Sequence, residues 1–496
     1  MPIAKPANQV ASTITSQHLS DRVLEIQDAF EVSPTKLKQI VAHFVEELKK
    51  GLSAKGGNIP MIPVWVMDYP NGTETGDYLA IDLGGTNLRV VLVHLLGGQK
   101  FETEQEKYHL PKGMRTTRNR DELFEFIADC LEKFFYKLHP NGIEKGALLP
   151  LGFTFSYPAS QTRIDTGVLQ RWTKGFDIPN VEGEDVVPLL MDKINEKKLP
   201  IKVVALINDT AGALVASRYT DPTTEMGLIF GTGVNGAYYD RVGNIEKLKG
   251  KLLPDITDDS PMLINCEYGS FDNEHESLPR TKYDILIDEQ SPRPGQQAFE
   301  KMTAGYYLGE LIRLILVELY EEKQVFQKYS KDSEQIKLLY TPYLLDTSFL
   351  AEIEGDQDLE NFPEVVRLFQ EFLKIEPTLD ERRLSRALSE IIGNRSARLS
   401  VCGIGAACTK MNIKKCHCAA DGSVFHKYPK FPERAADSLA DIFGWKEENI
   451  HPRNYPIQIV PSQDGSGVGA AVIAALAHAR QAKGLSLGLA EAYKKA

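Results

Sequence analysis

Residues 78–95 read YLAIDLGGTNLRVVLVHL: an apolar run, a glycine turn and a second apolar run. Strand-length stretches of aliphatic and β-branched residues on either side of Gly84-Gly85-Thr86 predict an antiparallel hairpin. The same design returns at 226–240, MGLIFGTGVNGAYYD, so one supersecondary unit is echoed in two halves that share too little sequence to count as a repeat. Helical periodicity over about 120–138, a strand near 150–155 and a helix near 184–195 follow the first hairpin. After the second come an amphipathic helix over 299–322, a helix over about 381–393, strand-like RLSVCGI, a strand YPIQIV, the turn QDGSGVG and an Ala-rich helix to about 482. Alternating strands and helices in two halves predict an α/β protein with two lobes and a cleft between them.

Between the halves lies IKVVALINDTAGALVASRY at 201–219, a strand that stops at Asn208-Asp209 before a helix. Capping by itself explains Asp or Thr there, because their oxygens accept the free amide hydrogens of a first helical turn. A strand end on a cleft floor explains it differently: Asp209 is then available for chemistry and Thr210 starts the helix. Upstream, 19–51 has helical periodicity in two pieces divided at Ser33-Pro34, and GLSAKGGNIPMIPVWVMDYPNGTETGD reads as a connector into the first compact domain. Four segments result: 1–75, helical segment and connector; 76–207, small lobe; 208–462, large lobe; and 463–496, a glycine turn and helix returning to the cleft.

A net charge of -11 argues against general affinity for nucleic acid or anionic membranes, which need a basic surface. Any phosphate must be held locally. The opening residues lack a signal-peptide core or the Arg-rich character of a transit sequence, and no run of 18 apolar residues occurs, so a cytoplasmic protein without membrane insertion is expected. Six cysteines are too few and scattered for a disulfide framework. Cys402, Cys408, Cys416 and Cys418 lie near His417 and His426, but Cys-x-Cys lacks the paired spacing of structural zinc sites, and no metal ligands are assigned.

GTGVNG at 231–236 matches the dinucleotide fingerprint, yet a strand rather than a helix follows it. GSGVGA at 465–470 sits between strand and helix, but too few residues remain for the rest of a mononucleotide-binding half; it can serve as an anion site or a place where a purine passes bare backbone. P-loop and protein-kinase motifs are absent. Two hairpins remain, each offering backbone amides, a Thr hydroxyl and an Asn, as a phosphate clamp requires.

The segments LAIDLGGTNLRV, LGFTFSYPAS, QRWTKGFD, LINDTAGAL, GTGVNGAYYD, INCEYGSFDNE and PGQQAFEKMTAGYYLGE resemble, in order and spacing, the motifs of eukaryotic hexokinases, fungal ones most closely, from about residue 20 to 480. The resemblance implies an actin-like ATPase fold of two ribonuclease-H-like lobes, with ATP and Mg2+ between them and a hexose deeper in the cleft. It implies Asp209 as general base, with Lys174 lending positive charge, and Ser156, Thr173, Lys174, Asn208, Asn235, Glu267 and Glu300 holding the sugar. Asp82, Gly84, Gly85, Thr86, Asn87 and Arg89 correspond to the first phosphate hairpin, and Gly231, Thr232 and Gly233 to the second. Asp421, Gly422 and Ser423 and the turn Asp464, Gly465, Ser466 and Gly467 match nucleotide contacts; Lys107 and Thr347 match more loosely. Tyr268 stands where many relatives have Trp.

The expected activity is transfer of the γ-phosphoryl of ATP to the 6-hydroxyl of glucose, fructose or mannose, by a monomer or homodimer. Mg2+ arrives on the β- and γ-phosphates, with Asp82 ordering its waters. Lobe closure excludes water that would otherwise attack ATP. The alternatives are a glucose-restricted glucokinase, an ATP-driven conformational machine and a catalytically silent sugar sensor.

Overall fold

The computed structural model describes residues 13–173, 175–446, 448, 450–490 and 493. Its first departure from expectation lies in the stretch read as a connector. Ile62–Pro63 (β1) is an edge strand, pairing antiparallel with Asn265 and Ile264, and Ile59, Met61, Val64, Trp65, Val66 and Met67 around it are buried. Prolines break up the strand periodicity here, and Pro is tolerated in a sheet because the strand lies at its edge.

Thr75–Leu83 (β2) and Asn87–Gly97 (β3) form the first hairpin, and the polar Lys100–His109 (β4) extends it as an exposed edge strand that sequence periodicity does not reveal. Leu149–Phe155 (β5) and Ile201–Ile207 (β8) add in parallel, giving the order β4-β3-β2-β5-β8; Ala159–Ser160 (β6) and Val168–Leu169 (β7) form a separate ribbon. In the second half Thr224–Phe230 (β9) and Val234–Arg241 (β10) are the second hairpin, flanked by Pro261–Asn265 (β11), Cys416–Asp421 (β12) and Ile457–Pro461 (β13) in the order β1-β11-β10-β9-β12-β13. Setting β1 aside, each sheet has a third, second and first strand, then a fourth and fifth added in parallel. The echo between the hairpins therefore extends to both sheets.

The helix that follows the fifth strand of each sheet crosses to the other. Asp209–Thr220, after β8, packs on β9, β10, β11 and β12, while Ala470–Ala482, after β13, packs on β5, β2 and β8. The crossing point is made by glycines: a Cβ on Gly212 would lie 2.2 Å from the Gly465 carbonyl oxygen, and one on Gly469 would lie 2.1 Å from that of Gly212. Those two helices tie the lobes together.

Three further expectations change. The apolar stretch 299–322 is two helices, Ala298–Thr303 and Gly305–Glu321, broken at Ala304. RLSVCGI is helical, closing Leu379–Ser400 and opening Cys402–Lys410; a helix buried on most sides loses its polar stripe and then reads like a strand. The short β12 lies inside its sheet although CHCAAD carries little strand signal. All six cysteines are free and buried, with the Cys416 and Cys418 sulfurs 3.8 Å apart.

Ser16 and Ser33 cap the helices Gln17–Phe30 and Pro34–Ser53. These helices pack on Leu379–Ser400 and Cys402–Lys410, so the N-terminal segment joins the core of the second half.

Candidate active site

At the end of β8 the capping residue is Asn208: its Oδ1 accepts the Ala211 N–H over 3.0 Å, and the helix begins at Asp209 rather than at Thr210. Thr210 is fully buried. Its N–H and hydroxyl donate to Asp209 Oδ1 over 2.8 and 3.2 Å, which fixes the plane of a half-buried carboxylate. Register places that carboxylate. Ile207 is paired with Thr154, Thr154 with Asp82 and Asp82 with Arg89, so β8 ends beside the strand that feeds the first glycine hairpin.

On the other side stand the polar residues expected to hold sugar. Asn235 Nδ2 donates to Glu267 Oε1 (2.9 Å) and to Asn265 Oδ1 (2.8 Å), and its Oδ1 accepts the N–H groups of Gly236 (2.7 Å) and Glu267 (3.0 Å). Asn265 Nδ2 also donates to Glu267 Oε1, over 2.8 Å. Glu300 Oε2 accepts the Val234 N–H over 3.1 Å, and a Cβ on Gly233 would stand 2.8 Å from that oxygen, so the second hairpin needs its glycine for the carboxylate to fit. Burial raises the Glu267 carboxyl above the usual glutamate range, with the Asp209 charge adding to the rise and Asn265 and Asn235 opposing it. Glu300 is pushed up to about 7, chiefly by burial and also by the Glu267 charge, against the pull of the Val234 N–H. Asp209, Glu267 and Glu300 thus share one electrostatic site.

An aromatic cluster backs both glutamates through their chain neighbours. Tyr268 meets Phe44 and Phe299 edge-on at 5.6 and 5.8 Å, and Phe44 stacks on Phe271 at 4.0 Å. The Tyr268 ring fits because Gly236 and Gly403 leave room; a Cβ on either would lie within 3.0 Å of its Cε1. Phe44 and Asn265 carry no local signal, being brought here only by tertiary packing.

Across the first sheet, cross-strand pairing sets Lys107, Arg89, Asp82 and Thr154 in one row. Arg89 sends a fork to Asp464 (2.8 and 2.5 Å) and a further bond to Ser466 Oγ (2.6 Å), binding the first hairpin to the 464–467 turn. Asp464 Oδ1 also accepts the Gly467 N–H over 3.0 Å, and Thr154 Oγ1 donates to the Ser466 carbonyl over 3.0 Å. The arginine expected at phosphate therefore has a carboxylate partner in the protein, and Gly465 is buried against Ala213, so it packs as well as turns. In the turn of the first hairpin Gly84 and Gly85 are half-buried and Thr86 exposed, with Asn87 Nδ2 donating to Thr86 Oγ1 over 2.7 Å.

The second hairpin is pinned from behind. Gly231 O accepts the Gly305 N–H over 2.8 Å, Thr347 Oγ1 donates to Gly305 O, and Gly422, at φ +113°, fits against the Phe230 carbonyl, where a Cβ would stand 2.4 Å away. Asp421 Oδ1 accepts the Gly422 N–H (2.7 Å) and pairs with His426 Nε2 (3.0 Å); Thr232 and Ser423 are exposed. Ser156 and Thr173 are half-buried on the small-lobe side, Lys107 is exposed on β4, and Lys174 lies outside the described residues. Among the described residues no three His, Cys, Asp or Glu side chains gather as a metal-binding group.

Two family models described as hexokinase match residues 22–219 and 225–476. The chain is 59% identical over 473 residues, 95% of each sequence, to Hexokinase-1 of Saccharomyces cerevisiae. It is 56% identical over 488 residues, 98% of each, to the hexokinase of Kluyveromyces lactis. Among solved structures it is similar to a hexokinase from Schistosoma mansoni complexed with glucose, with TM-score 0.78, 34% identity, and coverage of 92% of this chain and 99% of that one.

Proposed function

Because the chain belongs to the hexokinase family and catalyses ATP-dependent phosphorylation of hexoses at the 6-hydroxyl, we propose an assignment of that chemistry to its cleft residues. Its fold is the actin-like ATPase fold. Asp209 is the general base. It receives the proton of the attacking hydroxyl as the phosphoryl bond forms, when that hydroxyl has become acidic. Asn208, Asn235, Glu267 and Glu300, with Ser156 and Thr173, hold the hexose; Lys174 lends positive charge near the transferring group. The observation that carries this reading is the register that ends β8, just before Asp209, beside the strand feeding the first glycine hairpin, with the Asp209 charge also acting on the Glu267 carboxyl.

The two hairpins clamp the nucleotide phosphates, Asp421, Gly422, Ser423 and the 464–467 turn flank its base, and Lys107 and Thr347 correspond more loosely to nucleotide contacts. A magnesium ion bound to the β- and γ-phosphates would neutralise charge that builds on the phosphoryl oxygens. Asp82 would order its water shell. Residues 76–207 and 208–462 act as the two lobes whose closure excludes water, with 463–496 returning to the small lobe. No described helix is long and apolar enough to cross a membrane.

The names of both fungal relatives favour a broad hexokinase over a glucose-restricted enzyme. Relative rates on glucose, fructose and mannose in a coupled assay test this, and absence of turnover on fructose would sink it. The base assignment is tested by Asp209→Ala, which should bind glucose normally and lose roughly 10²–10⁴-fold in kcat. Retention of most of the turnover would remove Asp209 from that role.

A further inference from the structure

Arg171 belongs to the small-lobe loop after β7, and its neighbour Trp172 anchors that loop. Trp172 donates its N–H to Glu182 Oε1 (2.7 Å) and its Nε1–H to the Ile178 carbonyl (3.0 Å), stacks on Phe176 at 5.2 Å, and meets Tyr157 edge-on at 5.1 Å. A side chain leaving such a fixed point has a defined direction. Arg171 is half-buried, and its Nε is buried with no hydrogen-bond partner among the described residues. Burial is the main influence that lowers its guanidinium from the usual range, Arg293 acts in the same sense by repulsion, and the carboxylates of Glu267 and Glu300 attract it. Arginine can only donate and stays charged at any working pH, so a desolvated, unpartnered nitrogen facing two carboxylates needs an acceptor.

We propose that Arg171 is a positioning residue of the hexose site: it reaches across the cleft from the small lobe, takes Glu300 as its partner when the lobes close, and keeps Glu267 and Glu300 as acceptors for sugar hydroxyls. The proposal rests on the reading of those two glutamates as sugar ligands. It gives the lobes a reason to close over the sugar side of the cleft, because closing supplies the missing acceptor for Arg171 and brings its positive charge nearer the two carboxylates.

The groups facing Glu300 are Glu267, Arg171, Lys301 and Tyr307, and Glu267 in turn faces Asp209. Arg171 is one of the groups that pull the Glu300 carboxyl down from the elevation burial gives it. The sign follows. Removing the guanidinium raises Glu300 further, so more of it is protonated at neutral pH, and hexose affinity is lost at a higher pH as the medium is acidified.

The test is the pH profile of kcat and KM for glucose in the full-length protein and in Arg171→Gln, Arg171→Lys, Glu300→Gln and the Arg171→Gln/Glu300→Gln double variant. Arg171→Gln should raise KM by roughly tenfold, the equivalent of one charge-assisted interaction, and more than it lowers kcat. Its acid limb should move to higher pH, Arg171→Lys should recover much of both effects, and the limb should no longer respond to Arg171 when Glu300 is already Gln. An unmoved limb with unchanged KM overturns the proposal, as does an equal loss in the Gln and Lys variants, which marks a packing role. Glu300→Gln separates the layers: if it leaves KM for glucose unchanged, the sugar-site reading has failed, whereas a raised KM there with no effect of Arg171→Gln fails only the role of Arg171.

Discussion

Asn235 and Glu267 are bonded in both directions: Asn235 Nδ2 donates to Glu267 Oε1 over 2.9 Å, and the Glu267 N–H donates to Asn235 Oδ1 over 3.0 Å. Glu267 stands at φ +56°, a left-handed conformation uncommon for a residue with a Cβ, and the amide of Asn235 holds it there. Loss of that amide leaves a buried N–H and a carboxylate oxygen underbonded, at about 1–3 kcal/mol. Asn235→Ala should therefore weaken glucose binding by roughly 5- to 150-fold. Asn235→Asp should do worse at neutral pH, because it adds a fourth carboxylate to the site of Asp209, Glu267 and Glu300, directly against Glu267. Glucose titration followed by tryptophan fluorescence measures both; unchanged affinity in the Ala variant would remove Asn235 from the site.

Much of this arrangement can be read locally. The hairpins at 78–95 and 226–240 announce themselves because aliphatic residues flank a glycine turn, and the helix at 209 because a strand runs into Asn208-Asp209. What cannot be read depends on tertiary neighbours. Gly212, Gly465 and Gly469 look like features of one helix and one turn until the fold crosses them, and the fork from Arg89 to Asp464 joins segments that lie far apart in the chain. The strand at Ile62–Pro63 hides behind prolines, and the helix through RLSVCGI hides behind its own burial. Asn265 enters the hydrogen-bond network of Asn235 and Glu267 only because β11 pairs with β10.

At the helix crossing, two effects of opposite sign compete. In an exposed helix, Gly→Ala stabilises by about 1 kcal/mol. At Gly212 the added methyl would lie 2.2 Å from Gly465 O and 2.9 Å from its carbonyl carbon, backbone atoms that cannot swing away. Overpacking of this kind costs about 1–3 kcal/mol or more, so the net change is a loss. Gly212→Ala should lower the urea midpoint and also reduce kcat, since the same helix carries Asp209 at its start. A raised midpoint would show that the crossing is looser than described.

Phe44 links the N-terminal helical segment to the residues that flank Glu267 and Glu300, the proposed sugar side of the cleft. It is fully buried, stacks on Phe271 at 4.0 Å, and meets Phe299, the residue before Glu300, edge-on at 5.5 Å. Truncation to Ala should cost about 3–5 kcal/mol of stability by leaving a cavity. Phe44→Leu, which keeps much of the volume, should cost less and still raise KM for hexose more than KM for ATP, because the loosened rings stand behind Glu267 and Glu300. Equal changes in the two KM values would argue that Phe44 supports the fold without bearing on the sugar side.

The last expectation concerns acid stability. Arg395 grips Asp284 with two bonds of 2.7 Å, both side chains are at most 2% exposed, and the guanidinium lies 4.2 Å from the centroid of Phe30. Thr281 adds its N–H and hydroxyl to the same carboxylate at 2.7 and 2.6 Å. Burial acts to raise the Asp284 carboxyl, but Arg395 and Thr281 outweigh it and hold the group below its usual value. A depressed folded pKa contributes stability that is complete above the unfolded value of about 3.9 and is lost as pH falls through the lower folded value. Asp284→Asn should therefore destabilise by about 3–5 kcal/mol at neutral pH, where it strands the buried charge of Arg395. The gap between wild type and variant should narrow steadily below about pH 4, because only the wild type loses the carboxylate. Thermal unfolding of both proteins between neutral pH and pH 3 checks this, and a gap that stays constant with acidification would mean that the pair contributes through packing rather than charge.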